Sequence, residues 1–305
     1  MLDNALQMRR EIRFLQLETG TACNYKCLYC PVAYFPRKGR FLPLELVDKV
    51  ISELECFPRL EKIYLNGYDE PTLNPQLAAI VGKLAHLPAQ ITLFTNGTNL
   101  TPDLAERIAR TGAKIEFDIH LSAVNRNDFE RLHQSKLLDK VISNLRYLAE
   151  NFHHLHRINI CISMQALDNA TDDRIYEELK DYFGQTPLMT FRWKPNDRAG
   201  ILSDTHYALN QNHRVLLGCS LENRTRDWIH VNATGNVVLC CQDYFESHVI
   251  GNIAESTLTE ILASDKRRLC HQWTMGEVEA PKDYICRRCI FAVTTDKQPI
   301  KLGYS

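Results

Sequence analysis

From residue 12 to residue 196 the sequence alternates short runs rich in β-branched and aromatic residues with longer amphipathic ones, and this alternation restricts the fold more than any other feature. The strand-like runs are "IRFLQLET", "KIYLNGY", "ITLFTNG", "KIEFDIHLS", "INICISMQ" and "LMTFRW". Between them lie the helical patterns "PLELVDKVISELECF", "NPQLAAIVGKLA", "PDLAERIARTG", "LLDKVISNLRYLAENF" and "DDRIYEELKDYFG", several with Pro or Asp near the start and Gly near the end. Strands separated by helix-length segments pair in parallel and carry their helices on the outside. The expected class is therefore α/β, with a partial (β/α)6 barrel of the TIM type over residues 1–200. Beyond the Arg-Ala-Gly at 198–200 the pattern changes. "WIHVNATGNVVLCC" reads as a β-hairpin turning at Ala-Thr-Gly, "STLTEILASDKRRLC" as one helix, and a cysteine-bearing loop follows. A smaller second domain is expected over residues 201–305.

The charge balance excludes some partners. Lysines and arginines number 36 against 37 acids, which predicts neither a nucleic-acid nor a membrane-surface partner. The start, "MLDNALQMRREIRFLQLETG", lacks the apolar core of a secretory signal, and no apolar run approaches membrane-spanning length. The expected compartment is the cytoplasm, where 11 cysteines point to metal or redox chemistry rather than to a disulfide framework.

Three of those cysteines, Cys23, Cys27 and Cys30, follow the first strand, at the strand end where parallel βα folds place their ligands. Soft thiolates at short spacing select iron–sulfur clusters or zinc. Structural zinc wants four ligands, and no fourth Cys or His lies nearby in sequence, whereas three thiolates leave one iron of a cubane cluster open. A second set comprises Cys219 before the hairpin, Cys240 and Cys241 at its end, and Cys286 and Cys289 in "ICRRC". Four thiolates from this set suit either a fully ligated iron–sulfur cluster or a tetrahedral zinc, and spacing does not choose between them. Cys240 and Cys241 are alternatives, since neighbouring strand residues point to opposite faces.

The C-x3-C-x2-C spacing, with an aromatic residue before the last cysteine, resembles the radical S-adenosylmethionine (SAM) superfamily. "LETGTACNYKCLYC" looks like that family's first strand and cluster loop, "LNGYDEPTLNP" like its second-strand SAM loop, and "LFTNGTNL" like the end of its third strand. The resemblance implies that a 4Fe–4S cluster held by Cys23, Cys27 and Cys30 binds the amino and carboxylate groups of SAM through its open iron. The reduced cluster would then cleave SAM to a 5′-deoxyadenosyl radical that abstracts a hydrogen atom. It also implies SAM contacts at Tyr68, Asp69, Glu70 and Asn96, although Tyr68-Asp69 replaces the family's usual Gly-Gly before Glu-Pro. The segment from "GCSLENRTRDWIHV" through "IGNIAESTLTEIL" to "CRRC" resembles the SPASM/Twitch extension of such enzymes. The shorter Twitch form implies one auxiliary 4Fe–4S cluster on Cys219, Cys240, Cys286 and Cys289.

Alternation within the strands nominates residues facing the interior. If the apolar residues turn toward the helices, Glu116, Asp118, His120 and Ser122 face inward, with Asn159, Cys161, Ser163 and Gln165 beside them and Thr190, Arg192 and Lys194 on the last strand. So polar a face is costly without partners, and it suits SAM and a polar substrate; a self-satisfied network or the opposite rotation is the alternative. Asp118, His120, Ser122 and Arg192 are accordingly cofactor-binding candidates, and Cys161 a candidate hydrogen-atom donor for an epimerase. Arg37, Lys38 and Arg40 either meet an anionic group or form a solvated loop.

The layout resembles aminoglycoside-pathway dehydrogenases and epimerases of the superfamily. The expected reaction is hydrogen abstraction from a small polar substrate, a sugar or aminocyclitol, ending in oxidation or epimerisation, with a flavodoxin or ferredoxin-type reductant. The short lead-in before the first cysteine is expected to hold no leader-gripping domain. The alternatives are modification of a precursor peptide with leader recognition in trans, and a non-catalytic iron–sulfur electron carrier, which would not cleave SAM.

Overall fold

The computed structural model describes residues 11–165, 169–186, 188–193, 196–202, 215–221 and 224–295. Among these the elements run β1 (Phe14–Leu17), α1 (Leu44–Leu54), β2 (Lys62–Leu65), α2 (Leu77–Leu84), β3 (Gln90–Thr95), α3 (Pro102–Arg110), β4 (Ile115–His120), α4 (Arg126–His133) and α5 (Leu138–Phe152). They continue with β5 (Ile158–Gln165), α6 (Asn169–Phe183), β6 (Met189–Trp193), β7 (Leu216–Cys219), β8 (Trp228–Val231), β9 (Asn236–Val238), β10 (Val249–Asn252), α7 (Leu258–Leu262), α8 (Asp265–Met275) and β11 (Ala292–Thr294). The α/β class is the expected one. No helix among the described residues is long and apolar enough to cross a membrane.

Contacts divide the chain into two units, and not by a single cut near residue 200. One unit takes in the described residues of Glu18–Phe41 and Lys62–Pro195. The other takes in those of Met1–Leu17, Leu42–Glu61 and Asn196–Gly303, so β1 and α1 join the C-terminal region.

In the first of these units β2 to β6 pair in parallel and in sequence order. Ile115, Phe117 and Ile119 on β4 are at most 1% exposed, the burial expected of residues turned toward covering helices. Local signals start and stop those helices. The Thr101 side chain accepts a hydrogen bond from the Leu104 amide, Pro102 opens α3, and Arg107 and Arg110 sit in its last turn. Asn144, buried on α5, donates to the carbonyls of Gly97 and Thr98 at 2.8 and 3.2 Å and so fastens the turn after β3. α4 has no counterpart among the sequence-based helices. Asn125 caps its start, and Gln134 ends it in the left-handed region at φ 51°.

In the second unit β8 and β9 form the expected antiparallel hairpin, β10 extends it, and β1 lies parallel to β8 with Phe14 opposite Trp228. β7 and β11 make a separate antiparallel pair that sets Cys219 opposite Ala292. The single helix expected over "STLTEILASDKRRLC" is two, because the Ser264 side chain accepts from the Arg267 amide and starts α8 afresh. Glu53, on α1, holds the start of α7: its carboxylate accepts from the amides of Leu258 at 3.0 Å and Thr259 at 3.2 Å. These are charge-assisted bonds to a helix N-terminus. Glu53→Ala is expected to cost about 1–2 kcal/mol, read as a lower urea midpoint at unchanged slope; an unchanged midpoint would show the contact to be idle.

Candidate active site and cluster-binding regions

The segment after β1 is closed on itself. Glu18 and Arg37 form a two-pronged ion pair, at 2.5 and 3.1 Å, with side chains 5% and 17% exposed. Thr21 donates its hydroxyl to the Lys38 carbonyl at 2.6 Å, and its amide donates to the Arg40 carbonyl. Arg37 is therefore committed to Glu18 and is not displayed to an anionic ligand. Glu18 also accepts the Tyr68 amide at 2.8 Å, and a Cβ built on Gly67 would lie 2.4 Å from the Glu18 carboxylate. Glycine at 67 is thus what lets the departing strand pass the buried acid.

Cys23, Cys27 and Cys30 lie half-buried within this closed segment. The Cys30 amide donates to the Cys27 carbonyl at 3.0 Å, and Cys30 caps a short turn over Pro31–Ala33. Burial raises the pKa of Cys23 and of Cys27, and neighbouring thiols add to it: Cys30 acts on Cys23, and Cys30 and Cys23 act on Cys27. Three neighbouring thiols that resist ionising alone fit a cationic iron cluster, which supplies the compensating charge.

The loops after β2 and β3 meet through Glu70. Its Oε1 accepts from the Thr72 amide at 3.1 Å and from the hydroxyls of Thr72 and Thr95, both at 2.5 Å; its Oε2 accepts from the Asn96 amide at 2.7 Å. The Asn96 side chain donates to Asn24 in the cysteine segment at 2.7 Å. Glu70 and Asn96 therefore brace the loops. Asp69 differs: Oδ2 accepts from the Thr19 hydroxyl at 3.0 Å, whereas its buried Oδ1 has no hydrogen-bond partner among the described residues. Burial, with Glu18 nearby, pushes the Asp69 carboxyl well up. Tyr68 stands half-exposed with the Arg37 guanidinium 5.9 Å from its ring centre.

Paired residues of parallel strands face the same side, so the register fixes which side chains share a face with Asp118. It pairs Phe94 with Asp118, Asp118 with Cys161, and His120 with Ser163. Ser163 donates to Asp118 at 2.5 Å, and Tyr29 of the cysteine segment meets His120 Nε2 at 3.0 Å and Ser122 Oγ at 3.1 Å. The expected orientation of β4 and β5 thus agrees with these contacts. On β6 the expectation fails, because Ser163 pairs with Phe191 and Gln165 with Trp193. Thr190 and Arg192 point the other way, where Arg192 meets Asp173 and, at 3.8 Å, Asp172 on α6. Arg192 is accordingly removed from the cofactor-binding candidates; Lys194 lies outside the described residues. The face that carries Asp118 gains aromatic residues that alternation had not nominated: half-buried Tyr64, Phe94 and Trp193, with ring centres 6.1 and 6.5 Å apart in succession. Cys161 is 1% exposed, and its thiol is directed at the Phe117 carbonyl 3.7 Å away. His133, which sequence reasoning also passed over, is wholly buried against Cys27, Tyr29 and the Ser122 amide.

In the C-terminal region the β7–β11 pairing carries Cys219 to the "ICRRC" turn, where the Cys289 amide donates to the Cys286 carbonyl and Ser220 to Phe291. Burial raises the pKa of Cys286 to about 12, with Cys219 adding to the shift, and Cys219 acts on Cys289 and Cys240 as well. The hydrogen bond between Cys240 and Cys241, with burial, pushes Cys240 up, while the same bond holds Cys241 down, with Arg224 and Arg198 assisting. Cys219 thus acts electrostatically on Cys240, Cys286 and Cys289, and soft thiolates suit an iron–sulfur cluster, although no three Cys, His, Asp or Glu side chains among the described residues are gathered closely enough to hold a single metal ion.

An α/β fold with a thiol triplet beyond its first strand and a second thiol group near its C-terminus is the layout of a metal–thiolate protein built on parallel strands. The model of the radical SAM superfamily matches residues 17–182, and that of the SPASM iron–sulfur cluster-binding domain matches residues 219–290. The chain belongs to the radical SAM superfamily and carries a SPASM domain; its cofactors are SAM, the SAM-binding 4Fe–4S cluster and auxiliary iron–sulfur ligation. Mycofactocin maturase MftC of Mycolicibacterium smegmatis is 24% identical over 269 residues, 87% of this chain and 63% of that protein. The chain thus spans less than two thirds of this curated relative. BtrN, solved with AdoMet and 2-DOIA, superposes with a TM-score of 0.59 at 18% identity, over 87% of this chain and 88% of that one. Streptococcus suis SuiB bound to precursor peptide SuiA gives 0.61 at 13% identity, over 94% and 72%.

Burial raises Asp118 to about 7, so between pH 4 and 7 the folded chain holds a proton that the unfolded chain releases. That contribution to stability is fully present below the unfolded pKa and is lost as the pH rises through about 7, amounting to about 4 kcal/mol. Asp118→Asn, which keeps an acceptor for Ser163, is expected to abolish this decline in urea midpoints measured from pH 4.5 to 8. Parallel pH profiles for the two proteins would disprove it.

Proposed function

We propose that Cys23, Cys27 and Cys30 hold the cluster whose open iron takes SAM, and that Cys219, Cys286, Cys289 and one of Cys240 and Cys241 hold an auxiliary cluster. We further propose hydrogen abstraction from a carbon of a small polar ring, a sugar or aminocyclitol, ending in its oxidation. The observation that carries the substrate class is the mixed face of β2 to β6. Half-buried aromatic rings at Tyr64, Phe94 and Trp193 share it with the half-exposed polar groups of Glu116 and His120. Aromatic faces pack against ring C–H groups while carboxylate and imidazole meet hydroxyl or amino groups.

The bound cluster supplies the electron that splits SAM. The chain's own part is positional: the unpartnered Oδ1 of Asp69 suits the SAM ammonium in place of a glycine carbonyl, and Glu70 and Asn96 fix the loops around it. Oxidation is favoured over epimerisation because the Cys161 thiol, the candidate hydrogen donor, is buried and turned to a backbone carbonyl. A flavodoxin or ferredoxin-type protein would deliver the electron. A second reading, modification of a precursor peptide, draws on the likeness to SuiB, which was solved with its peptide.

Anaerobic reconstitution tests the ligands. About eight irons per chain are expected, falling to about four in the Cys23/Cys27/Cys30→Ala variant and also in the Cys219/Cys286/Cys289→Ala variant. Wild-type iron content at about four, or iron unmoved by either variant, would refute the assignment. Substrate class is decided by 5′-deoxyadenosine formation under dithionite. Release stimulated by free aminocyclitols or sugars supports the ring substrate, and stimulation by peptides alone overturns it.

A further inference from the structure

His133 closes α4 with no exposed surface, packed against the rings of Phe129, Tyr25 and Tyr29 at centroid distances of 4.7, 5.4 and 6.1 Å. Its Nε2 accepts the backbone N–H of Ser122 at 3.0 Å. A backbone amide can only donate, so Nε2 bears no proton, and the imidazole carries its single hydrogen on Nδ1. That nitrogen lies 3.2 Å from Cys27 Sγ and 3.0 Å from Tyr29 Oη. The backbone fixes the approach from both sides of the cysteine. The Lys26 amide donates to the His133 carbonyl at 3.3 Å and the Leu28 amide to the Leu132 carbonyl at 3.0 Å. Side chain and main chain thus converge on Cys27 from one helix end, and among the described residues the ring's Nδ1 hydrogen has the Cys27 sulfur and the Tyr29 oxygen before it.

We infer that His133 is a fixed N–H···S donor to the Cys27 thiolate and, as a positioning residue, raises the reduction potential of the SAM-binding cluster. The inference rests on the reading of Cys27 as a cluster ligand. A thiolate bound to iron keeps lone pairs, and a donor aimed at one withdraws charge from the sulfur, which eases the arrival of an electron. The Ser122 amide is what makes the arrangement directional. Without it the imidazole could place its proton on Nε2 and present a lone pair to the thiolate, which would repel it. The Tyr29 hydroxyl also hydrogen-bonds the Cys27 sulfur as a donor, so it acts on the thiolate in the same direction as the imidazole.

The test is an EPR-monitored redox titration of the reconstituted full-length protein, with iron content measured on each variant. His133→Leu removes the donor. At a fixed solution potential the ratio of reduced to oxidised cluster is expected to fall about tenfold, a shift of about 59 mV for a one-electron couple. His133→Asn places an amide N–H where Nδ1 stood, and is expected to stay within about threefold of wild type. A purely structural role would move the Leu and Asn variants together, and that result overturns the inference. Should His133→Leu fail to load iron, His133→Phe, which keeps an aromatic ring in the site and has no donor, decides in its place, an unchanged potential counting against the donor. Cys27→Ala separates the two claims. If it retains the full iron of that cluster, the ligand reading fails; if it loses the iron while the other variants leave the potential unmoved, only the role of His133 fails.

Discussion

The buried carboxylate of Glu70 is the constraint on which the loops after β2 and β3 depend. A charge removed from water must be compensated by direct bonds, and here the donors are the Thr72 amide and hydroxyl, the Thr95 hydroxyl and the Asn96 amide. Those donors come from the turns after β2 and after β3, so satisfying the charge joins the two turns. Asn96 then reaches Asn24 and carries the constraint into the cysteine segment. The segment is held independently by Glu18, which takes Arg37 from within it and the Tyr68 amide from beyond β2. Two buried acids thereby position the loops without offering their own oxygens to a ligand, and Asp69 between them is left with an acceptor to spare.

The parts of the site that were legible in the sequence are those where one requirement dominates. Three cysteines at short spacing have few uses, and the clean alternation of β4 and β5 placed Asp118, His120 and Ser163 on one face because the residues between them had to be apolar. The same rule misplaced Arg192. β6 is an edge strand, and its outer side is not sealed in hydrocarbon: Asp172, Asp173 and Tyr176 of α6 offer a cation better company than the face that carries Asp118 does. Alternation shows that two faces differ, and assigning the polar one inward assumes an apolar outer layer that an edge strand need not have.

His133 was missed for a different reason. α4 is an eight-residue helix whose buried residues are only Phe129, Leu132 and His133, too few to draw a stripe of helical period. The readable signals were its ends, an Asn at the cap and a polar residue able to adopt the left-handed turn. A histidine beside that turn reads as a favourable cation at a helix terminus. Burial reverses the reading, since it drives the imidazole toward its neutral form, and neighbouring His120 acts in the same direction. What the sequence could not supply was the Ser122 amide eleven residues earlier, which gives the neutral ring its orientation.

The two thiol groups differ in their electrostatic surroundings, and the difference bears on the direction in which electrons move. Cys23 feels Glu70 and Asp69, both of which oppose negative charge. Cys219, Cys240 and Cys241 feel Arg224, which favours it, and Cys241 feels Arg198 as well. The same fields act on any cluster these sulfurs hold, since each reduction adds one negative charge to it. Acidic neighbours would make a cluster held by Cys23 a stronger reductant, and arginines would make one held by Cys219 and Cys240 or Cys241 a better acceptor. The oxidation proposed above would leave an electron on the substrate radical and would use such an acceptor, whereas an epimerisation completed by a thiol would not. Cys161, buried against a carbonyl, and the arginines near Cys241 are the features of this chain that the proposed oxidation would draw on.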